Sequence, residues 1–204
     1  MLLALAALLA MSSVANAAYL TTAAGQITGA SADSAWGFLP AIGAADESGM
    51  VGDLHEIHVA SGGREWVSQK SGANHSWSAK FDQNYELGDM WVWNSRWSAD
   101  GTGGFKSVDV YYTDPTDTEQ LLGNFEFGIA NPANYEEDTA HQTSVPFGGV
   151  MANGVRLQQL SDHGAAFGSG GLQEVRFNIV PEPGTLTLLG LGLLGLSMWR
   201  RRRR

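Results

Sequence analysis

The sequence predicts an all-β protein, a sandwich or jelly roll of about eight strands, and three observations predict it. The first is the stretch 85–113, YELGDMWVWNSRWSADGTGGFKSVDVYYT, where two runs of aromatic and β-branched residues flank a glycine-rich break. In its second run Val108, Val110 and Tyr112 alternate with Ser107, Asp109 and Tyr111. That period belongs to a strand with one buried face. The second observation is composition: 26 Gly and only 16% charged residues suit a chain of many turns, and 7 Trp, 8 Phe and 5 Tyr supply its core. The third is the lack of any amphipathic helical pattern of useful length. Residues 90–97, with Trp91, Val92, Trp93 and Trp97, and residues 105–113 are expected to form an antiparallel pair across a loop at 98–104.

In chain order, residues 1–17 read as a secretory signal peptide. Residues 2–11 are an unbroken apolar run, and Ala15 and Ala17 place small side chains at the −3 and −1 positions of a cleavage site. Signal peptidase is therefore an expected partner. No Lys or Arg precedes the apolar run, so either the start lies upstream or the free amine supplies the charge. A buried core helix is the alternative.

The body, residues 18–179, opens with a short strand near 26–29, then Trp36 and Phe38, then the loop 43–49. Small residues around Asp and Ser suit a loop in which carbonyls converge with a carboxylate, as hard cations require, though most such loops are simple turns. Short strands follow at 54–60 and 64–69. His55 and His58 lack the helical-turn spacing of a two-histidine zinc motif and point to opposite faces of a strand. Residues 75–81 alternate cleanly, Asp114-Pro115-Thr116-Asp117 is a turn signature, and 120–130 supplies a strand with Leu122, Phe125, Phe127 and Ile129. An acidic loop at 131–139 and strands at 141–147, 154–160 and 172–180 complete the series. The last long loop, 161–171, carries His163 and Phe167.

Several function classes are disfavoured by the same residues. Without cysteine there is no disulfide framework, thiolate zinc site or thiol nucleophile. Five of the 12 basic residues are Arg200, Arg201, Arg202, Arg203 and Arg204, so the rest of a chain with net charge −9 is more acidic still. Such a body argues against nucleic acid and anionic membranes as partners. No Gly-x-Ser-x-Gly elbow, phosphate loop or histidine cluster marks an enzyme. A carboxylate pair such as Asp109 and Glu126 proves nothing in so acidic a chain.

Residues 180–204 change character. Val180, Pro181, Glu182 and Pro183 form a helix-excluding lead-in, residues 185–199 are rich in Leu and Gly, and the arginines act as a membrane stop. The apolar segment falls short of the ~20 residues of a permanent span, which fits a transient anchor. A nucleic-acid-binding arginine tail is the rival reading. The three parts in this order, behind a signal peptide, resemble the PEP-CTERM sorting signal. The resemblance implies recognition by an exosortase in the inner membrane of a Gram-negative bacterium, and cargo for the envelope, cell surface or exopolysaccharide matrix.

The body resembles galactose-binding-like, discoidin-type domains. The matching stretches are Arg64-Glu65-Trp66-Val67-Ser68, Trp91-Val92-Trp93-Asn94, residues 104–112, Val155-Arg156-Leu157 and Gly171-Leu172-Gln173-Glu174-Val175-Arg176-Phe177. The resemblance implies an eight-stranded jelly-roll sandwich with a structural Ca²⁺ held by Asp46, the backbone at Gly43 and Ser48, and the Glu174 carboxylate. Sugar binding needs an aromatic platform and a few polar groups; Trp36, His55, Trp97, His163 and Phe167 are the candidates. Non-catalytic binding of exopolysaccharide, a purely structural or adhesive surface role, and a polysaccharide hydrolase or lyase are the three readings, in that order.

Overall fold

The computed structural model describes residues 18–37, 39–47, 50–51, 57–58, 65–69, 74–95, 102–130, 139–164 and 170–180. Its strands are β1 (Ala18–Tyr19), β2 (Ile27–Ala32), β3 (Met50–Val51), β4 (Ile57–His58), β5 (Trp66–Val67) and β6 (Ser76–Asn94). They continue with β7 (Phe105–Thr113), β8 (Glu119–Glu126), β9 (Thr139–Ala140), β10 (Thr143–Asp162) and β11 (Gly171–Ile179), and one 3-10 turn covers Ala41–Ala44. The main sheet has eight strands in the order β1-β11-β6-β10-β7-β8, with β2 also on β6 and β5 also on β11; β3, β4 and β9 form a small second sheet. Every pairing is antiparallel. Residues 18–179 make one compact unit. Among the described residues no helix is long and apolar enough to cross a membrane.

Two strands decide the architecture. β6 has 19 residues and β10 has 20, so each would reach roughly 60 Å if straight. A compact unit of this size has a radius of gyration of about 15 Å, hence a diameter of about 40 Å. Both strands must bend, and their pairing shows where. The register slips between Pro146 and Val150 and between Ala152 and Gly154. Gly148 (φ 67°) and Gly149 (φ 83°) stand in the left-handed region that only glycine enters freely. Along one edge, the first half of β6 pairs with β2 and the second half with β11.

The bent sheet closes over one apolar core. Trp77, Ala79 and Phe81 from the first half of β6 join Leu87, Met90 and Val92 from the second, with Val108, Val110, Val155, Leu157, Val175 and Phe177. Phe81 packs edge-on to Phe177 at 5.1 Å between ring centroids, and Trp66 edge-on to Phe105 at 5.8 Å. This is the expected β-sandwich.

Two expectations need correction. Residues 90–97 and 105–113 do not pair with each other, because β10 lies between β6 and β7. The strands expected at 141–147 and 154–160 are one strand, and 75–81 runs on into 90–94, because paired bulges carry the chain through the bend without ending it. Trp91 and Trp93 point away from the core that Met90 and Val92 enter; Trp91 stacks on His141 at 4.5 Å, and Trp93 is fully buried on that outer side.

The turn at Asp114 matches its sequence signature. Asp117 N–H donates to the Asp114 carbonyl at 2.9 Å, and the Asp114 carboxylate accepts from the Thr116 N–H, the Thr116 hydroxyl and the Thr118 N–H. The Thr116 hydroxyl is the chief cause that holds the Asp114 carboxyl at about 2, against an ordinary 3.8. A depressed carboxyl pKa stabilises the fold above the ordinary value and loses that contribution as pH falls through the folded value. Asp114→Ala is expected to lower the melting temperature at pH 7, with the gap to wild type narrowing between pH 4 and pH 2. A gap that stays constant over that range would contradict this assignment.

Candidate functional site

The segment from Ser34 to Glu47 is tied to the sheet by two core tryptophans. A buried indole needs a hydrogen-bond acceptor. Trp66 Nε1–H donates to the Ser34 carbonyl and Trp77 Nε1–H to the Ala41 carbonyl, both at 2.8 Å. Gly43 lies buried in the 3-10 turn, where a Cβ would sit 3.3 Å from the Glu65 carbonyl oxygen. This close approach carries the chain on to Asp46 and Glu47 beside the last strand.

There Glu174 is only 2% exposed, although it alternates along β11 with the core residues Val175 and Phe177. Its Oε1 accepts a long 3.4 Å bond from Glu47 N–H, and its Oε2, fully buried, has no hydrogen-bond partner. Burial pushes its carboxyl well above the ordinary range; the Asp46 carboxylate adds to this, and so does the Glu47 side chain. Glu47 holds a left-handed backbone (φ 62°) unusual for a side-chain-bearing residue, and its Oε1 accepts from Thr22 N–H at 3.2 Å.

A buried carboxylate with a free oxygen, repelled by two acidic neighbours, is the environment a hard cation would neutralise. The predicted partners Asp46 and Glu174 are brought together, and Gly43 is three residues before Asp46. Ser48 lies outside the described residues. Among the described residues no three acidic or histidine side chains form a ligand cluster, so the remaining oxygens would come from backbone carbonyls. Calcium accepts these as readily as carboxylates. Glu47 was missed in sequence reasoning, although its acidic place next to Asp46 could have flagged it.

The turn that follows β2 lies at the end of the sandwich where β6 begins. Trp36 N–H donates to the Val67 carbonyl and its own carbonyl accepts from Leu39 N–H, in a turn closed by Gly37 (φ 42°). Its side chain is 43% exposed. His163, the other described ligand candidate, contacts the Phe127 carbonyl through Nε2 at 3.0 Å and is half-buried. His55, Trp97 and Phe167 lie outside the described residues. At the same end Asn94 joins three segments: its side-chain amide donates to the Phe105 and Gly128 carbonyls, and its oxygen accepts from Phe105 N–H.

A serine, a histidine and a carboxylate also meet here, unannounced by any motif. Ser68 Oγ lies 2.9 Å and Asp33 Oδ2 3.6 Å from the buried His75, both at the same ring nitrogen, Nδ1. A nucleophile triad needs the hydroxyl at one ring nitrogen and the carboxylate at the other. This cluster instead ties β5, β6 and the turn after β2 together.

The model of the PEP-CTERM protein-sorting motif matches residues 180–203. The chain carries a PEP-CTERM sorting motif. That motif implies processing by an exosortase at the membrane, and export to a Gram-negative envelope. Val180 is the last described residue; Pro181, Glu182, Pro183 and Arg200, Arg201, Arg202, Arg203 and Arg204 lie outside the described part, as do the signal-peptide positions Ala15 and Ala17. Among curated proteins none matches significantly.

Ahead of the PEP-CTERM motif, the body has the fold of family 32 carbohydrate-binding modules. The module of C. perfringens NanJ, solved in complex with galactose, has a TM-score of 0.53 at 14% identity, covering 73% of this chain and 91% of that one. Another such module, from a family 31 glycoside hydrolase of Clostridium perfringens, gives 0.52 at 16%, over 73% and 88% of the two chains. The lectin-binding domain of Lectinolysin, solved with Lewis b, gives 0.52 at 14%, over 76% and 93%. At such identities what is shared is the fold.

Proposed function

We propose that this chain is an exported, non-catalytic protein that binds polysaccharide outside the cell. The observation that carries the reading is the conjunction of a sorting motif at 180–203 with a sandwich whose structural neighbours were solved with galactose or Lewis b. The motif brings the chain to an exosortase; the body is what remains to act in the matrix. Its acidic charge suits a glycan partner better than nucleic acid.

The turn carrying Trp36 is the proposed contact for a sugar. An exposed indole on a turn held by backbone bonds to Leu39 and Val67 offers a flat apolar face to a sugar ring, and its position is set before binding. Asp46 and Glu174 would hold a calcium ion with backbone carbonyls. Bound there, the ion would neutralise the converging carboxylates and join the segment after Ala44 to the last strand, which no disulfide does in this chain.

Two measurements check this. On affinity gels containing galactan or the producing cells' exopolysaccharide, the exported protein should be retarded, and Trp36→Ala should weaken retention about fivefold or more, the loss of an aromatic anchor. Unretarded migration on every polysaccharide, with calcium present, would reject glycan binding. In thermal melts, a cation at ~100 times its Kd adds about 2.7 kcal/mol, roughly 5–10 °C in a domain of this size. EDTA should remove that increment, and Glu174→Gln should melt alike with and without EDTA. Wild-type melting indifferent to the chelator would reject the metal site.

A further inference from the structure

A second surface of the sandwich carries a built cleft away from the turn of Trp36. It lies on the outer face of the sheet formed by β2, the first half of β6, β10 and β7, toward the β7–β8 turn, and has a volume of about 530 Å³. That is within the ~300–1,000 Å³ of ligand clefts. Strand alternation explains why the face is polar: Trp77, Ala79, Val155 and Leu157 enter the core, so Ser78, Lys80 and Arg156 face out.

The walls are held in position by paired side chains. Arg156 donates to Glu119 through two nitrogens, at 2.6 and 2.7 Å, and lies 4.0 Å over the Tyr111 ring. Across the turn, Asn153 Nδ2 donates to Asp117 Oδ1 at 2.8 Å. On the opposite side the Ser31 and Ser78 hydroxyls share a 2.8 Å bond. Each pair leaves some donors or acceptors unused, so the groove offers both kinds at fixed positions. Lys80 adds an exposed ammonium with no side-chain partner among the described residues. The floor is open at Gly29, where an added Cβ would meet nothing within 4 Å.

We infer that this groove is a second glycan site, which takes a stretch of polysaccharide chain along its length through the hydroxyls. Fixed carboxamide, carboxylate, guanidinium and hydroxyl groups match the alternating donors and acceptors of sugar hydroxyls. The charged side chains along its walls, Lys80, Asp117, Glu119 and Arg156, disfavour a lipid or an apolar helix. Two cations, Lys80 and Arg156, balanced by two acids, Asp117 and Glu119, leave the groove near neutral within an acidic protein. An uncharged chain is the matching ligand. The inference rests on the reading that the domain meets glycans, but it assigns a face distinct from the Trp36 turn.

The test uses the exported protein on affinity gels containing dextran or galactan, with free galactose titrated in parallel by calorimetry. Gly29→Tyr fills the groove from a strand position with ordinary φ and open space, so its melting temperature should stay within about 2 °C of wild type. It should lose at least tenfold in polysaccharide retention, and Lys80→Ala about threefold, with galactose binding unchanged in both. Equal retention of wild type and both variants overturns the inference while leaving glycan binding intact. So does a wild type that binds galactose but no polysaccharide. If neither ligand binds, the broader reading falls as well. Should Gly29→Tyr melt lower, Lys80→Ala decides alone, and unchanged retention in that variant overturns the groove.

Discussion

The constraint on which the structure depends is that two strands, β6 and β10, are too long to be straight. They stay paired from Ser76–Gln158 at one end to Val92–Thr143 at the other, and so they bend together. The bend turns one continuous hydrogen-bonded sheet into two facing layers, and Phe81 meets Phe177 across the gap. All that is placed at either end of the sandwich follows from it. The glycines at 148 and 149 permit the turn in β10, and in β6 the register shift between Lys80 and Tyr85 takes up the difference.

A bent sheet without disulfides must fasten its connecting segments by other means, and polar groups in the core do this. The indoles of Trp66 and Trp77 hold the segment from Ser34 to Ala41, and Asn94 holds the start of β7 and the end of β8 together. On the outer side of β11 and β6, Arg176 lies 3.2 Å over Tyr19, and Asp89 accepts from Trp91 Nε1–H and from Asn178. The two indoles, the Asn94 amide and the Asp89 carboxylate are satisfied where they stand. Glu174 Oε2 is not, and burial without a partner is costly to a fold unless something offsets it. Among the described residues it is the carboxylate oxygen buried without a hydrogen-bond partner, and a second acid, Asp46, lies close to it.

What was legible in the sequence depended on whether its signal is local. The alternation at 107–112, the Asp114 turn and the sorting motif are each written in consecutive residues, and each was read correctly. Strand partners are not local: β10 comes between β6 and β7, and no spacing in 85–113 encodes that. Trp91 and Trp93 stand with Val92 in one aromatic run, and the two-residue period sends them to the other face. The approach of Asp46 to Glu174 is expected from the resemblance of the last strand to a known type, with the small-residue loop 43–49 the one local sign of it. The cluster of Asp33, Ser68 and His75 and the polar groove draw on residues spread from 29 to 156, and only the folded sheet assembles them.

Sorting motif, bent sandwich and polar faces form one account: a domain delivered across the membrane to work among polysaccharides. The most direct test is an intact mass measurement on the protein recovered from polysaccharide shed by the producing cells. The account predicts a species shorter than the 21.8 kDa chain, lacking residues 1–17 and the arginine cluster at its other end. A full-length chain confined to the cytosol would contradict it.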